Sequence, residues 1–360
     1  MSLGDALDGT GVRRDDLTTE ARVPVSAALR LLERAATLSG CPHLGLLVGA
    51  RSDHRVLGLV GTMMSHAQTL GDALRDYVAV QLGYSRGATV YLQPMGADDI
   101  LGYGLYDRAA PDSLQLYDLG AAAGCNFVRS LTGGRALAAR GQLSPSTPPE
   151  TAPDLSLLKV PVAFEQEQTG VVISAADMTT SPPPGANAAE HRRLIAWIRE
   201  LMGSDIDDIA PRVQHILRPR LLLGEGDRAE VARELGLNGR TCARRLAVAE
   251  TSFEDIKDDV RFAVARDLLS LTGLPVGQIS TAPSYATPSA FNHAFQRWAG
   301  TSPPEWRAAG MARGPRRAQQ RMEANRTRLT GPPASMAPVK NPPEPLSGCT
   351  AEYRPPPTEC

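Results

Sequence analysis

Val25, Ala28, Leu29, Leu32, Ala35 and Leu38 recur at steps of three and four, so the chain opens with an amphipathic helix. The stretch TLGDALRDYVAVQL, Thr69 to Leu82, predicts a second, burying Leu70, Leu74, Tyr77, Val78 and Leu82. The period then drops to two. GATVYLQPM and DILGYGLYD alternate apolar and polar residues around a Gly-Ala-Asp-Asp stretch that holds Asp98 and Asp99, which predicts a hairpin with the acidic pair in its turn. A helix follows over about 114–131, then a Pro-rich loop from Pro145 to Pro153, then two short strands in PVAFEQ and GVVISAADM. Residues 1–200 therefore form an α+β domain.

Beyond TTSPPPGANAAEHRR the strand pattern stops. The helix EHRRLIAWIRELM carries Leu194, Ile195, Ile198, Leu201 and Met202 on one stripe, able to pack on either half of the chain or on a second copy. Between Asp227 and Trp298 a helix–turn–helix pattern appears twice. In the first, Val231, Ala232, Leu235, Gly236 and Leu237 give an apolar face and a tight turn. Cys242 and Leu246 are four apart and share the buried side of the next helix, leaving Arg240, Thr241, Ala243 and Arg244 to the opposite side. In the second, Val276 and Ile279 pack the first helix, and Phe291, Phe295 and Trp298 bury the next. Thr287 and Pro288 mark its start, a capping hydroxyl followed by the residue preferred at the first helical position. Ser289, Asn292, His293, Gln296 and Arg297 then point outward. A long helix joins the units, with Phe253, Ile256, Val260, Ala263, Val264, Leu268 and Leu271 as its apolar stripe. Two outward polar helix faces imply reading of double-stranded DNA through the major groove.

VARELGLNGRTCARRL, TSFEDIKDDVRFAVARDLL and SYATPSAFNHAFQRWAGTSPPEWR resemble, in order and spacing, the DNA-binding domain of the AraC/XylS family of transcription regulators, over Val213 to Arg307. The resemblance implies an all-α DNA-binding domain over 201–310, in which one monomer places two recognition helices in successive major-groove faces about 34 Å apart. The family usually has Leu and Gly at the turn of the second unit, where this chain has Pro283 and Ser284. That change predicts a shortened, weaker second unit, because Pro removes a helical hydrogen bond and Ser adopts a left-handed turn less easily than Gly. RVPVSAALRLLERAATLSGCPHLGLLVGA, GLVGTMMSHAQTLGDALRDY and KVPVAFEQEQTGVVISAADMTTSPPPGA resemble the arabinose-binding-type N-terminal domain of one branch of the same family. This implies an effector-binding or dimerising domain of unassigned ligand, making a second copy of the chain and RNA polymerase admissible partners. The reading is a sequence-specific transcription regulator, an activator or a repressor, controlled by a small-molecule effector. The alternative is a ligand- or protein-binding module with impaired specific DNA binding, owing to the altered second unit.

A chain of 360 residues at 42% hydrophobic has room for two or three cores. Its net charge of −1 is poor for a nucleic-acid binder until the clusters are separated: Arg240, Arg244 and Arg245 on one helix, Glu254, Asp255, Asp258 and Asp259 on the joining helix. The bland reading of Arg233 and Arg245 is solvated surface. No membrane-length apolar run and no signal sequence are present, so a cytoplasmic location is expected. Five cysteines without a CxxC pair predict reduced thiols. Cys41, His43 and His54 fall short of a four-ligand zinc set, and no metal or cofactor is expected. No GxSxG, HExxH, Walker or GxGxxG motif occurs, so the chain is not read as an enzyme. Tyr84, Tyr91, Tyr103, Tyr106, His66 and Arg86 sit where a ligand could meet an apolar wall, but strand tyrosines usually pack the sheet, and no ligand-binding residue is assigned. Residues 311–360, rich in Arg and Pro, are expected to be a disordered tail.

Overall fold

The computed structural model describes residues 2–309 except 19–22, 84, 108–109, 111–113, 146–155, 183, 282–284 and 286, and of 203–207 it describes the backbone alone. The expected tail, Tyr84, Pro283 and Ser284 lie outside the described residues.

A capping box at Ser2 starts a short helix α1, Leu3–Leu7. The first long stripe forms α2, Val25–Ser39, which stops at Gly40 in the left-handed conformation. Helices α3 (Leu44–Ala50), α4 (Leu59–Ser65) and α5 (Leu70–Val80) follow, the last capped by the Thr69 hydroxyl on the Asp72 amide. The hairpin consists of β1, Ala88–Met95, and β2, Asp98–Leu105, in a register running from Ala88 opposite Leu105 to Met95 opposite Asp98. Only Gly96 and Ala97 remain for the turn. Asp98 and Asp99 therefore belong to β2, a correction to their expected place in the turn: Gly96 at φ +67° supplies the left-handed residue that a two-residue connection needs.

Helix α6, Leu114–Leu131, crosses to β3 (Arg140–Gln142), β4 (Val162–Ala163) and β5 (Thr169–Ile173), completing a five-stranded sheet of order β1-β2-β5-β3-β4. The three residues of β3, Arg-Gly-Gln, have no apolar alternation, and the sequence pattern missed them. One sheet face presents Val90, Leu92, Leu101, Tyr103, Val171 and Ile173 to a core shared with α5 and α6. After α7, Ala175–Met178, helix α8 (Ala188–Asp207) packs onto that same core through Leu194 and Ile198, with Ile195 and Met202 half-buried beside them. Leu201, expected on its buried stripe, is instead exposed.

The remaining helices share a second core. They are α9 (Ile209–Leu222), α10 (Arg228–Glu234), α11 (Gly239–Val248), α12 (Phe253–Leu271), α13 (Val276–Ile279) and α14 (Pro288–Ala299). Val213, Leu217, Val231, Cys242, Leu246, Val260, Phe291 and Phe295 all belong to this one cluster, so both helix pairs rest on a common interior built around α12. The described residues fall within one compact unit.

Candidate nucleic-acid interface

Helices α10, α11, α12 and α14 each start on a side chain that satisfies free helix amides. Asp227 accepts from the amides of Ala229 and Glu230 at the start of α10, and Asn238 accepts from Thr241 at the start of α11. Between them Gly236 turns at φ +70°, and the Leu237 amide reaches back to the Ala232 carbonyl at 2.8 Å. That closes α10 with the hydrogen bond expected of a left-handed helix end. Four residues, Leu235 to Asn238, therefore separate the two helices. Cys242 and Leu246 are fully buried beneath α11, while Arg240, Ala243, Arg244 and Arg245 are exposed and Thr241 is half-exposed. Burial raises the thiol pKa of Cys242, against the pull of Arg228 and Arg245, leaving it a small inert core group.

Helix α13 is a single turn of four residues, against seven in α10. The Thr287 hydroxyl caps α14 by accepting from the Ala290 amide at 3.2 Å, and Pro288 stands in the first turn. Phe291, Ala294 and Phe295 face inward, and Ser289, Asn292, His293, Gln296 and Arg297 face solvent. An aromatic cluster fixes this helix: Phe262 of α12 lies 5.6 Å from Phe295, 6.0 Å from Trp298 and 6.2 Å from Trp306, centroid to centroid. Tyr285 joins through Phe291 and Trp298, with the Arg261 guanidinium 4.6 Å above its ring. Burial raises the Tyr285 phenol pKa, so it stays protonated.

The charges differ in how they are held. Arg297 donates to Asp258 of α12 at 2.7 Å, and Arg220 gathers Glu225, Glu230 and Glu234. Among the described residues no ion pair engages Arg240, Arg244 or Arg245. Those three leave an exposed positive face on α11.

The N-terminal tyrosines pack. Tyr91 is buried with its hydroxyl donating to Gln168 at 3.0 Å, and Tyr103 stands edge-on to Tyr117. Tyr106 is buried too, His66 accepts from the Asn187 amide, and Arg86 pairs with Asp208. The His54 ring is held between the hydroxyls of Ser130 and Ser65 at 2.7 and 2.9 Å. Among the described residues no group of three or more His, Cys, Asp or Glu could hold a metal ion, and no helix is long and apolar enough to cross a membrane. Sequence periodicity missed Arg218, Arg266 and Asp267, which are buried within α9 and α12. The available signal was α12 itself, whose residues 262–269 are buried all round.

A mixed α/β half followed by a helical region with an exposed basic helix face defines the class: a regulator with an N-terminal ligand-binding domain and a helix-turn-helix DNA-binding domain. Residues 1–181 match the model of the arabinose-binding domain of AraC transcription regulators, N-terminal part, and residues 231–309 match that of a helix-turn-helix domain. The chain belongs to the AraC family of transcription regulators. It is 29% identical over 325 residues to an uncharacterised HTH-type transcriptional regulator of Mycobacterium tuberculosis, covering 85% of this chain and 91% of that one. It is 25% identical to the HTH-type transcriptional regulator VirS of the same species, over 81% of this chain and 86% of VirS. Among solved structures, the transcriptional regulator CdpR from Pseudomonas aeruginosa aligns at 24% identity over 80% of this chain and 93% of its own, with a TM-score of 0.42.

Proposed function

We propose that the chain is a sequence-specific regulator that grips double-stranded DNA with two helix-turn-helix units, α10–α11 and α13–α14, spaced by α12. In this reading Arg240, Thr241, Ala243 and Arg244 read one stretch of major groove, and Ser289, Asn292, His293, Gln296 and Arg297 read the next. Residues 1–200 carry the effector site and 201–310 the DNA-binding domain, with a small molecule altering how the two units engage an operator in the cytoplasm. RNA polymerase and a second copy of the chain are the further partners. The observation that carries the reading is the sorting on α11 and α14: apolar sides in one shared core, and the polar residues above turned to solvent, with Thr241 half-exposed. Arginine suits the paired acceptors of guanine, and Asn292 and Gln296 suit adenine. The alternative of a module without specific DNA binding is not favoured, since the helix-turn-helix match runs through 231–309, across the altered turn.

Selection of bound sequences from a random DNA pool tests this. A specific regulator should enrich one operator and prefer it by about 1,000-fold or more over random DNA. Recovery of no common sequence would overturn it.

A further inference from the structure

Charged side chains are costly to bury, by several kcal/mol each, unless partners replace the lost water. Three such side chains, Arg218 of α9 and Arg266 and Asp267 of α12, are each no more than 6% exposed. Asp267 Oδ1 accepts from Arg266 Nε and Nη2 at 3.2 and 2.9 Å. Its other oxygen, Oδ2, accepts from the Tyr117 hydroxyl of α6 and lies 3.7 Å from Arg218 Nη2. Arg266 Nη1 donates to the backbone carbonyls of Asp107 and Ala110 at 2.9 and 3.1 Å. Arg218 Nε donates to the Leu105 carbonyl at 3.1 Å, and the Leu105 amide donates to the Tyr117 hydroxyl at 3.2 Å. Arg218 lies against Gly104, where a Cβ would stand 2.9 Å from its Nε.

The partners have a common origin. Apart from the Asp267 contacts with the two arginines, every hydrogen bond named here reaches β2, the segment after it, or α6. Those elements build the N-terminal core, whereas α9 and α12 build the core beneath both outward-facing helices. Leu271 of α12 also packs on the small cluster of Leu29, Leu105 and Tyr117. Docked, the two guanidinium groups share one carboxylate and several backbone carbonyls, and Arg218 Nη1 is left without a hydrogen-bond partner; apart, all of these groups would meet water. Packed charges of this kind favour discrete states over graded ones. The docked state leaves Arg240, Arg244, Asn292 and Gln296 exposed, so it does not cover the reading faces. What it does is clamp the spacer helix.

We infer that the Tyr117–Asp267–Arg218–Arg266 cluster is a latch by which the N-terminal domain holds α12 in its DNA-competent setting, so that opening this joint weakens DNA binding. The inference rests on the DNA-binding reading above. By linkage, DNA must then favour latching as much as latching favours DNA.

The test uses the full chain, the DNA sequence it selects, and the variants Tyr117→Phe, Asp267→Asn and the double variant. Each single variant is expected to bind the selected DNA at least about fivefold more weakly, the double variant no more weakly than the worse single one. Hydrogen exchange should show amides of 103–106 and 262–271 gaining protection when DNA is added to the parent chain, and not in Tyr117→Phe. Tyr117→Phe removes one oxygen atom and keeps the ring, so it covers the case in which Asp267→Asn fails to fold. Unchanged affinity and protection in Tyr117→Phe would overturn the latch. Tighter binding would overturn it too, by making the docked state the inhibited one. If the parent chain selects no DNA, the DNA-binding reading fails and the latch, which rests on it, falls with it; variants that match the parent on a selected sequence overturn the latch alone.

Discussion

His215 offers a test of how α9 is seated on the sheet. It is 9% exposed, with Nδ1 in hydrogen-bond contact with the Thr89 hydroxyl of β1 at 2.7 Å. Burial alone pulls its pKa from the ordinary 6.5 down to about 4. The folded chain therefore holds a neutral imidazole at a pH where the unfolded chain has protonated it. Stability from this group is complete above 6.5 and is lost as pH falls through 6.5 toward 4. At about 1.4 kcal/mol per pH unit the full loss is ~3 kcal/mol, and linkage puts ~2 kcal/mol of it above pH 5. Carboxylates and His54, whose pKa is also lowered by burial, titrate in the same range. The comparison that isolates His215 is therefore with His215→Gln, which stays neutral and keeps a polar partner for Thr89. Urea unfolding at pH 8, 6.5 and 5, followed by tryptophan fluorescence, should show the parent losing ~2 kcal/mol more than the variant between pH 8 and pH 5. Parallel curves for the two proteins would refute the argument, for they would mean that water reaches the imidazole and that α9 is not sealed against β1.

Gly236→Ala adds a methyl group with no atom within 4 Å, so its cost is purely that of the left-handed backbone at φ +70°; thermal melting should show a loss of about 1–2 kcal/mol. Arg244→Ala is expected to weaken binding of the selected operator by about 1–3 kcal/mol and to relax base choice at one position, read by repeating the selection with the variant. Arg297→Ala breaks an ion pair whose arginine is 67% exposed, so stability should change by less than about 1 kcal/mol in melting. A marked fall in operator affinity in that variant assigns Arg297 to DNA.

The parts legible in the sequence were those whose surroundings are local. Cys242 and Leu246 bury because they are four apart on a helix that has only one neighbour side, and Thr287 caps because it precedes a helix. The hairpin was legible to within its turn, where two acidic residues suggested a wider loop than the backbone uses. Other features depend on what arrives from far along the chain. β3 is a strand only because β5 and β4 flank it. Leu201 continues an apolar stripe on α8, yet the core beneath it ends at Ile198 and Met202, and Leu201 stays in water. Arg266 and Asp267 break the stripe of α12 as surface residues would, and they are buried because the sheet and α6 pack there, about 150 residues away along the chain by the Tyr117–Asp267 bond.

Net charge illustrates the same division between local and distant causes. A sum of −1 conceals three arrangements of arginine that do different work. Arg218 and Arg266 are inside, held by carbonyls and by Asp267, and offer no donor to an approaching phosphate. Arg220 and Arg297 lie on the surface but are matched by carboxylates, so their charge is largely cancelled at any distance beyond the pair. Arg240, Arg244 and Arg245 combine exposure with freedom from acidic partners and lie together on one helix, whereas other exposed arginines without an ion pair among the described residues, such as Arg51, Arg192 and Arg233, are scattered over different elements. On the proposed reading, the gathering of three such side chains on α11 matters more to a polyanion than the net charge does. If that reading holds, α11 is expected to dominate the first encounter, and α14, whose outward residues are mainly uncharged or paired, to act once the duplex is in place.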